Sequence, residues 1–591
     1  MTRSTYALHP KASISLMAQI DSQMGRPAAA IRRMLAPAAM AESAEATDLT
    51  PLILETSKPK SMEKHLQNLA RGESAQHLAG GFYSLRVSPS RAKALLEVKE
   101  LVRLQTKKAS KLHLEAAVPE AQVLDAAGSR LVTETGSGVL IGIVDSGFDL
   151  SHPMFRDALG KLRVEALLDQ ESGREFDNAQ LEQGWANGSN PGADPHGHGT
   201  HVASTAGGSR FGAREGVAPE ARFLLVKTDF QNTDAAVAFL FQKAGARPCV
   251  INMSLGHHFG AHDGSDAEER FHDTITGPGK IVVISAGNEA NDPIHLGARF
   301  SLNQARSARF NLLPQRDGRP VVVITAWYTA QDTFEGSLVT PGGQRIAIPP
   351  LGSPGQRLSN QLLQIDLSRR NFSFNNLVQI QIQIVFSQFP PVNQTRNWGL
   401  RFVCPNPVVG RLDAWFHNSG FAEFRPAPIV ETARTVGLSA TGQSSIAVAS
   451  YVSKNQWDAD DGHQTAPSAV LGRISSFSSL GPTRDGREKP DIAAPGQFLT
   501  AALASGSQEA ANQERADNAN RVLTIEGTSM AAPMVTGIVA LMLQKRPDLT
   551  PAQVKQILFS SARKDLHTGP LQWTPQYGHG KIDAAQALQN T

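Results

Sequence analysis

Hydrophobic positions in the middle of the chain fall in short, continuous runs. Four of these runs are rich in β-branched residues and end at Gly, Thr or Asn: VLIGIVDSG (139–147), ARFLLVKT (221–228), CVINMSLG (249–256) and KIVVISAGN (280–288). Continuous apolar runs separated by helical stretches predict a parallel sheet with helices on both faces. Reactive groups gather beyond the carboxyl ends of such strands, which is where the sequence places Asp145, Ser254 and Asn288.

The pattern changes between residues 291 and 433. VQIQIQIVF (378–386) alternates apolar and polar residues with a period of two, which is typical of a half-buried strand in an antiparallel sheet. VVVITAWYTA, GQRIAIPPL and RLDAWF are separated by Gly-, Pro- and Asn-rich turns. We therefore predict an inserted β-sandwich, similar to a jelly roll, between α/β segments 115–290 and 434–591.

Residues 51–114 predict a small α+β unit. YSLRV (83–87) and the alternating VRLQTKK (102–108) are expected strands, and SPSRAKALLEVKEL (88–101) is an expected helix with a Ser cap. Residues 1–50 are rich in Ala, Met and Arg, and we interpret them as an N-terminal arm without an assigned function.

The first residues do not resemble a signal peptide. Lys11, Gln19, Asp21 and Gln23 interrupt the apolar positions, so no continuous hydrophobic region forms. No run reaches the roughly 18 apolar residues that a membrane span needs. We expect a cytoplasmic protein that has no membrane partner, and secretion by another route stays open.

Composition narrows the class of protein. A length of 591 residues exceeds one ordinary core, and 41% hydrophobic with 19% charged residues is typical of globular domains. The net charge is only +3, with scattered Lys and Arg, so we expect no nucleic-acid partner. Cys249 and Cys404 are too few for a disulfide scaffold or a zinc site. One bridge between them stays open, although two free buried thiols are favoured.

Three further segments carry candidate chemistry. Asp145 lies in IVDSGFDLSHP, three histidines (His196, His198 and His201) lie in DPHGHGTHVAS, and Ser529 lies in EGTSMAAPMVTG. Taken alone, the Asp145 segment is compatible with a simple turn, and the histidine segment with a polar loop or a metal site. The Ser529 segment is compatible with a tightly packed buried helix. A Ser at the start of a helix is different, because its hydroxyl can face a cleft while its unpaired backbone N–H carries positive partial charge.

Together these segments resemble the subtilase family, the subtilisin-like serine peptidases. The order Asp, His, Ser and the motifs IVDSGFDLSHP, HGTHVAS and GTSMAAP match that family. NMSLG, SAGNEA, FSSLGPTRDGREKPDIAAPG and YGHGKIDAAQAL resemble its supporting segments. The resemblance covers about 121–290 and 434–591. It implies an α/β fold with a subtilisin-like, mostly parallel sheet flanked by helices.

The resemblance also implies a serine endopeptidase that acts on a protein or peptide substrate. Ser529 corresponds to the nucleophile of the family, His198 to its general base, Asp145 to the residue that orients the base, and Asn288 to the oxyanion donor.

Ser254, Leu255 and Gly256 are similar to the family's substrate-binding segment, which pairs with the substrate backbone like an added strand. The resemblance implies that no cofactor is required. Met154 stands where many relatives carry a calcium-binding Asp, so we expect the usual calcium site to be lost, while structural calcium elsewhere stays open.

The α+β unit occupies the position of the family's propeptide, which implies an intramolecular inhibitor removed by cleavage near Lys111–Glu115. A domain that is never removed is the alternative. The inserted β domain resembles the jelly-roll insertions of some bacterial subtilases, which implies a rigid support for the catalytic domain; a role in substrate access is the alternative. Two other functions stay open: a non-catalytic scaffold that binds a partner protein, and a metal-dependent hydrolase that uses the histidine cluster.

Overall fold

The computed structural model describes residues 50–56, 58–67, 69, 74–79, 82–87, 101–106, 117–124 and 129–591, with gaps at 314–320, 361–362, 373–374, 388–391 and 418–421. The expected N-terminal arm before residue 50, most of the expected helix at 88–101 and the expected cleavage region at 111–115 lie outside the described residues.

The N-terminal unit is a four-stranded antiparallel sheet. Its strands follow the order β2-β3-β1-β4. The strands predicted at 83–87 and 102–108 are confirmed as β3 and β4. The elements are β1 (Thr50–Thr56), α1 (Pro59–Leu66), β2 (Ser74–Ala79), β3 (Phe82–Val87) and β4 (Leu101–Thr106).

The first α/β segment contains the predicted strands and the helices between them. Its elements are α2 (Ala117–Glu120), β5 (Leu140–Asp145), β6 (Val164–Asp169), β7 (Arg174–Asp177), α3 (Asn178–Ala186), α4 (His198–Gly207), β8 (Arg222–Lys227), α5 (Thr233–Ala244), β9 (Cys249–Met253), α6 (Ala267–Ile275) and β10 (Lys280–Ser285), with a 3₁₀ turn at Pro153–Phe155.

The antiparallel region follows directly. Its elements are β11 (His295–Arg299), β12 (Gln304–Leu312), β13 (Val321–Thr329), β14 (Thr333–Val339), β15 (Arg345–Ala347), β16 (Gln356–Ser359), β17 (Leu363–Phe372), β18 (Leu377–Phe386), α7 (Val392–Thr395), β19 (Trp398–Asn406), β20 (Arg411–Phe416), β21 (Ala422–Phe424) and β22 (Val430–Glu431).

The last segment returns to the α/β pattern. Its elements are β23 (Ile446–Val452), β24 (Gln456–Ala459), β25 (Gly462–Thr465), β26 (Ile492–Gln497), β27 (Leu499–Ala502), β28 (Ala516–Asp517), β29 (Val522–Ile525), α8 (Thr528–Lys545), α9 (Pro551–Ser561) and α10 (Ala584–Asn590), with 3₁₀ turns at Leu438–Thr441 and Glu509–Ala511.

Eight strands of the two α/β segments form one sheet in the order β26-β23-β10-β9-β5-β8-β6-β7. All neighbours are parallel except β6 and β7. Alternate side chains face opposite sides, so Ile141 and Ile143 join the core under α4 and α8, whereas Leu140 and Val144 join the core under α5. Both faces are covered, which explains the continuous apolar runs and confirms the predicted parallel sheet.

The antiparallel strands form a sandwich of two sheets. One follows the order β16-β17-β18-β13-β20-β11-β22 and the other β15-β14-β19-β12-β21. Five alternate apolar residues of β18 face a shared core, as the period-two pattern predicts: Val378, Ile380, Ile382, Ile384 and Phe386. Cys404 is buried in this core and Cys249 in the α/β core, and both thiols are free.

Among the described helices, none combines the length and apolarity needed to cross a membrane.

Candidate active site

Asp145 is the last residue of β5 and is buried, with an exposed fraction of 3%. Its Oδ1 accepts hydrogen bonds from His198 Nδ1 at 2.7 Å and from the Ser146 N–H at 2.8 Å. Its Oδ2 is buried without a hydrogen-bond partner among the described residues. The carboxylate is therefore held at the end of the strand and faces one imidazole.

His198 begins helix α4, and its side chain is 32% exposed. The helix approaches β5 very closely at Gly199, where a Cβ would lie 2.2 Å from the Gly147 carbonyl oxygen, so only glycine fits there. Burial lowers the pKa of His198, but the charge and hydrogen bond of Asp145 outweigh it together with weaker contributions from Asp194 and Glu509. The net pKa is raised above its ordinary value.

A second buried carboxylate fixes the loop that carries His198. Asp194 Oδ1 accepts from Ser146 Oγ at 2.9 Å and from the Gly197 N–H at 2.9 Å. Its Oδ2 accepts from both the N–H and the hydroxyl of Thr200, at 2.9 and 2.8 Å. These four hydrogen bonds join the loop before α4 to the end of β5, and so they fix the position of the imidazole.

The other two histidines of the motif have different surroundings. His201 is fully buried, and its Nε2 lies 3.1 Å from the carbonyl oxygens of Leu499 and Leu523. Burial lowers its pKa to about 3. His196 Nδ1 lies 3.3 Å from Gln508 Oε1. Of the three histidines, His198 makes the contact with Asp145.

Ser529 lies in the first turn of α8 and is partly exposed. Its Oγ donates to the Ser254 carbonyl oxygen at 3.2 Å, and Ser254 Oγ donates to the Ser529 carbonyl oxygen at 2.7 Å. That carbonyl is available because Pro533, four residues further, has no N–H to donate to it. Within the described residues, Ser529 Oγ makes no hydrogen bond to His198.

Asn288 follows β10 and faces the same helix start. Its Oδ1 accepts from the N–H and the hydroxyl of Thr528, at 2.9 and 3.0 Å. The Thr528 hydroxyl in turn accepts from the Gly287 N–H at 3.1 Å. Because the oxygen is committed to Thr528, the Asn288 amide group is left to donate elsewhere. The Ser529 N–H also has no acceptor among the described residues, so two donors are available beside the Ser529 hydroxyl.

Ser254, Leu255 and Gly256 lie immediately beyond the end of β9. The backbone N–H and C=O groups of Leu255 and Gly256 have no protein partner among the described residues. The Leu255 side chain packs partly against the core under α5, and a Cβ at Gly256 would meet nothing within 4 Å. This segment offers an open backbone edge next to Ser529.

The inserted sandwich packs against the loop that continues from this edge. His262 stacks on Trp415 of β20 with ring centroids 4.2 Å apart, and Phe259 contacts His417 at 4.1 Å. Trp415 Nε1 donates to the Arg434 carbonyl oxygen at 2.9 Å. The position of the loop therefore depends on the sandwich.

Sequence reasoning missed several residues that shape this site. Asp194, Thr528 and Pro533 all lie inside the motifs that the sequence presents, in DPHGHGTH and GTSMAAP. An acid before a Gly-rich histidine loop was the available signal for Asp194. The role of Pro533 follows from its place four residues after Ser529, where a helix normally has an N–H.

The Subtilase family model matches residues 136–355 and 417–580, and so the chain belongs to the subtilase family, a family of serine peptidases. The matched ranges include Asp145, His198, Asn288, Ser529 and the segment 254–256. The predicted fold class agrees with this membership.

Individual relatives match this chain either with low sequence identity or over a short segment. A C5a peptidase of Streptococcus pyogenes serotype M18 (strain MGAS8232) is 25% identical over 503 residues, which cover 77% of this chain and 40% of that protein. The chain thus spans about two fifths of that relative's length. Serine protease AprX of Bacillus subtilis (strain 168) is 39% identical over 115 residues, which cover 20% of this chain and 25% of AprX.

Among solved structures, the Clostridium perfringens CspB protease is similar in fold. The superposition has a TM-score of 0.66 with 23% identity, and it covers 80% of this chain and 96% of CspB. The likeness extends over most of both chains and supports the same architecture.

Proposed function

We propose that this protein is a serine endopeptidase that hydrolyses internal peptide bonds of a polypeptide substrate through Ser529, His198 and Asp145. The observation that carries the proposal is the convergence of three features at one edge of the sheet. These are the Asp145–His198 hydrogen bond of 2.7 Å, the Ser529 hydroxyl at a helix start, and the two available donors beside it.

The reaction begins when the Ser529 hydroxyl leaves the Ser254 carbonyl and turns to His198. His198 Nε2 accepts the hydroxyl proton while Ser529 Oγ bonds to the substrate carbonyl carbon. Asp145 keeps the Nδ1 proton of His198 in place and stabilises the imidazolium. The raised pKa of His198 is consistent with that stabilisation.

Charge then develops on the substrate carbonyl oxygen. The Ser529 N–H and the Asn288 amide donate to it, and Thr528 keeps the amide in the required orientation. His198 returns the proton to the leaving amine, which breaks the C–N bond and leaves an acyl group on Ser529. A water molecule, deprotonated by His198, releases the acyl group and restores the hydroxyl.

The substrate backbone pairs with the open edge formed by Leu255 and Gly256. Their N–H and C=O groups have no partner among the described residues, so an extended peptide can pair with them irrespective of most of its side chains. This mode of binding favours segments of a polypeptide chain that are unfolded or exposed in loops.

The N-terminal sheet is proposed to act as a propeptide that inhibits the site until it is removed. Its support is its place before the α/β domain and the basic sequence KKASKLHLE (107–115) that follows β4. N-terminal sequencing of active protein tests this: the mature chain is expected to start near Lys111–Glu115. A start elsewhere, or full activity of the uncleaved chain, would refute it.

The endopeptidase proposal is tested with a denatured protein substrate and mass spectrometry of the products. The wild-type chain, with its N-terminal unit removed, is expected to produce internal fragments, while Ser529→Ala produces none. Exposed Ser505 gives a matched control, and Ser505→Ala is expected to cut like the wild type. Products trimmed only from the ends, or cutting by Ser529→Ala, would overturn the proposal.

A further inference from the structure

A cluster of three metal-ligating side chains lies between α5 and α6, away from Ser529. Asp234 belongs to the first turn of α5, while Glu268 and His272 are four residues apart on α6 and therefore share one face of that helix. One ligand atom from each side chain lies within 4.8 Å of the other two. The helices thus bring together two carboxylates and one imidazole.

The imidazole of His272 is the unusual member. Its side chain is 0% exposed, and neither ring nitrogen has a hydrogen-bond partner among the described residues. Buried polar atoms are almost always paired, so a ring with two unpaired nitrogens needs an explanation. Its Nε2 lies 3.7 Å from Asp234 Oδ1, an atom that is itself buried and has no hydrogen-bond partner among the described residues.

Glu268 is already held in place by other groups. Its Oε1 accepts from Ser439 Oγ at 2.5 Å, and its Oε2 pairs with His257 Nε2 at 2.8 Å. Each carboxylate oxygen has a second lone pair, so both contacts leave capacity for a metal ion. Hydrogen-bond partners of this kind orient a metal-ligating side chain and increase the affinity of the site for the metal.

We propose that Asp234, Glu268 and His272 bind a divalent transition-metal ion, with Zn²⁺ as the best-fitting ion. Zinc bonds of about 2.0–2.2 Å to nitrogen and oxygen place neighbouring ligand atoms roughly 3.3–3.5 Å apart. The Asp234–His272 separation of 3.7 Å is close to that value. Asp234 is 48% exposed, so it can move inward and admit a water as the fourth ligand.

The ligand set also distinguishes between ions. Calcium and magnesium prefer sites made of oxygen atoms, whereas an imidazole nitrogen with two carboxylates suits zinc and its neighbours.

Occupancy would connect the metal to the substrate-binding edge. Glu268 holds His257, which directly follows Gly256, and the His257 carbonyl oxygen accepts from the Leu438 N–H at 2.8 Å. A bound ion would tie α5, α6 and this segment together and stabilise the fold. The proposal of a bound ion does not rest on the proposed peptidase reaction.

The test uses the full chain carrying Ser529→Ala, which removes self-cleavage, after treatment with a chelator. Zn²⁺ is titrated by calorimetry, and thermal unfolding is measured with and without the ion. We expect one saturable site and a higher Tm with Zn²⁺. Asp234→Asn is expected to weaken binding at least tenfold and to remove the Tm gain, and His272→Gln should act alike.

Two further variants show where the ion binds. His463→Gln removes an exposed histidine that pairs with Asp458, and it should bind Zn²⁺ like the parent. His198→Ala should also bind like the parent; loss of binding there would place the ion at the catalytic pair and refute the proposal. Unchanged binding by Asp234→Asn, or Ca²⁺ binding as tight as Zn²⁺, would refute it as well. Because Asp234 is half-exposed, its variant gives an answer even where His272→Gln fails to fold.

Discussion

Replacing Asp145 by Asn separates the charge of this residue from its shape. Asp145 Oδ1 accepts two donors, from His198 and from the Ser146 N–H, whereas Oδ2 accepts none. An Asn therefore keeps its oxygen at the Oδ1 position, since a flipped amide would face the Ser146 N–H with another donor. The His198 tautomer is preserved in this orientation, and the negative charge is what the substitution removes.

The magnitude follows from the lost attraction to the imidazolium. The charge centres lie about 4 Å apart, and two unit charges at that distance attract by about 4 kcal/mol at an effective dielectric constant of about 20. At about 1.36 kcal/mol for each tenfold in rate, Asp145→Asn is expected to lower kcat/KM by about 10³. A loss of about 10⁴ would indicate that the tautomer also changes.

The pH profile gives a second readout. His198 acts as a base only when neutral, so kcat/KM falls as pH falls through its pKa. In the wild type that midpoint lies above about 6.5, the ordinary histidine value, because Asp145 outweighs burial. Without the charge of Asp145, burial is opposed only weakly, and the midpoint is expected to move to lower pH.

The assay is steady-state hydrolysis of a fluorogenic peptide between about pH 5 and 9. Asp458→Asn is the matched control, because His463 Nδ1 and Asp458 Oδ1 form the same 2.7 Å pair on an exposed hairpin. The control should keep wild-type activity. Activity of Asp145→Asn within tenfold of the wild type, or an unchanged or higher midpoint, would refute the reasoning.

Three other predictions concern the remaining parts of the molecule. Asn288→Ala should lower kcat by about 10²–10³, the size established for such a donor in a subtilisin, with little change in KM. Thr528→Val removes one of the two hydrogen bonds to Asn288 and should lower kcat about tenfold. Steady-state kinetics of both variants test this prediction, and equal effects on kcat and KM would argue against an oxyanion role for Asn288. Asp194→Ala leaves four hydrogen-bond donors without their acceptor, so the free energy of unfolding of this variant should fall by about 3–5 kcal/mol. The loss is measured as a lower Tm. An unchanged Tm would show that the hydrogen bonds to Asp194 do not stabilise the fold. Asp332→Ala removes the acceptor of three backbone N–H groups at 408–410, so chemical denaturation should show that the sandwich is less stable by about 2–4 kcal/mol. Initial hydrolysis rates should stay unchanged. Loss of activity at low temperature would contradict the expectation that the sandwich is destabilised without an effect on catalysis.

The sheet could be predicted because its signal is local. A strand buried on both faces must be apolar throughout, and the runs that became β5, β8, β9 and β10 show this directly. The period of two in β18 likewise reports a strand with one face in the core. Neither pattern depends on knowing which strands are neighbours.

Contacts between distant segments could not be predicted in this way. Asp194 looks like an ordinary loop acid until the fold brings it to Ser146 and Thr200. Asp234 and His272 become neighbours only through the packing of α5 on α6. The pattern gives each helix a buried face, but it does not give the rotation that decides which polar groups meet across the interface.

The acceptor of the Ser529 hydroxyl's hydrogen bond is another such case. Sequence reasoning predicted that His198 serves Ser529, whereas the structure directs that hydroxyl to the Ser254 carbonyl. The direction of one hydroxyl depends on distances of a few tenths of an ångström, which no motif encodes.

The most direct test of the central claim is covalent labelling of Ser529 with a fluorophosphonate. The full chain is first treated by limited proteolysis to remove the N-terminal unit, and the labelled residue is identified by mass spectrometry. The account predicts one label at Ser529 in the wild type and none in Ser529→Ala. Folded wild-type protein that stays unlabelled after removal of the N-terminal unit, or a label elsewhere in Ser529→Ala, would contradict it.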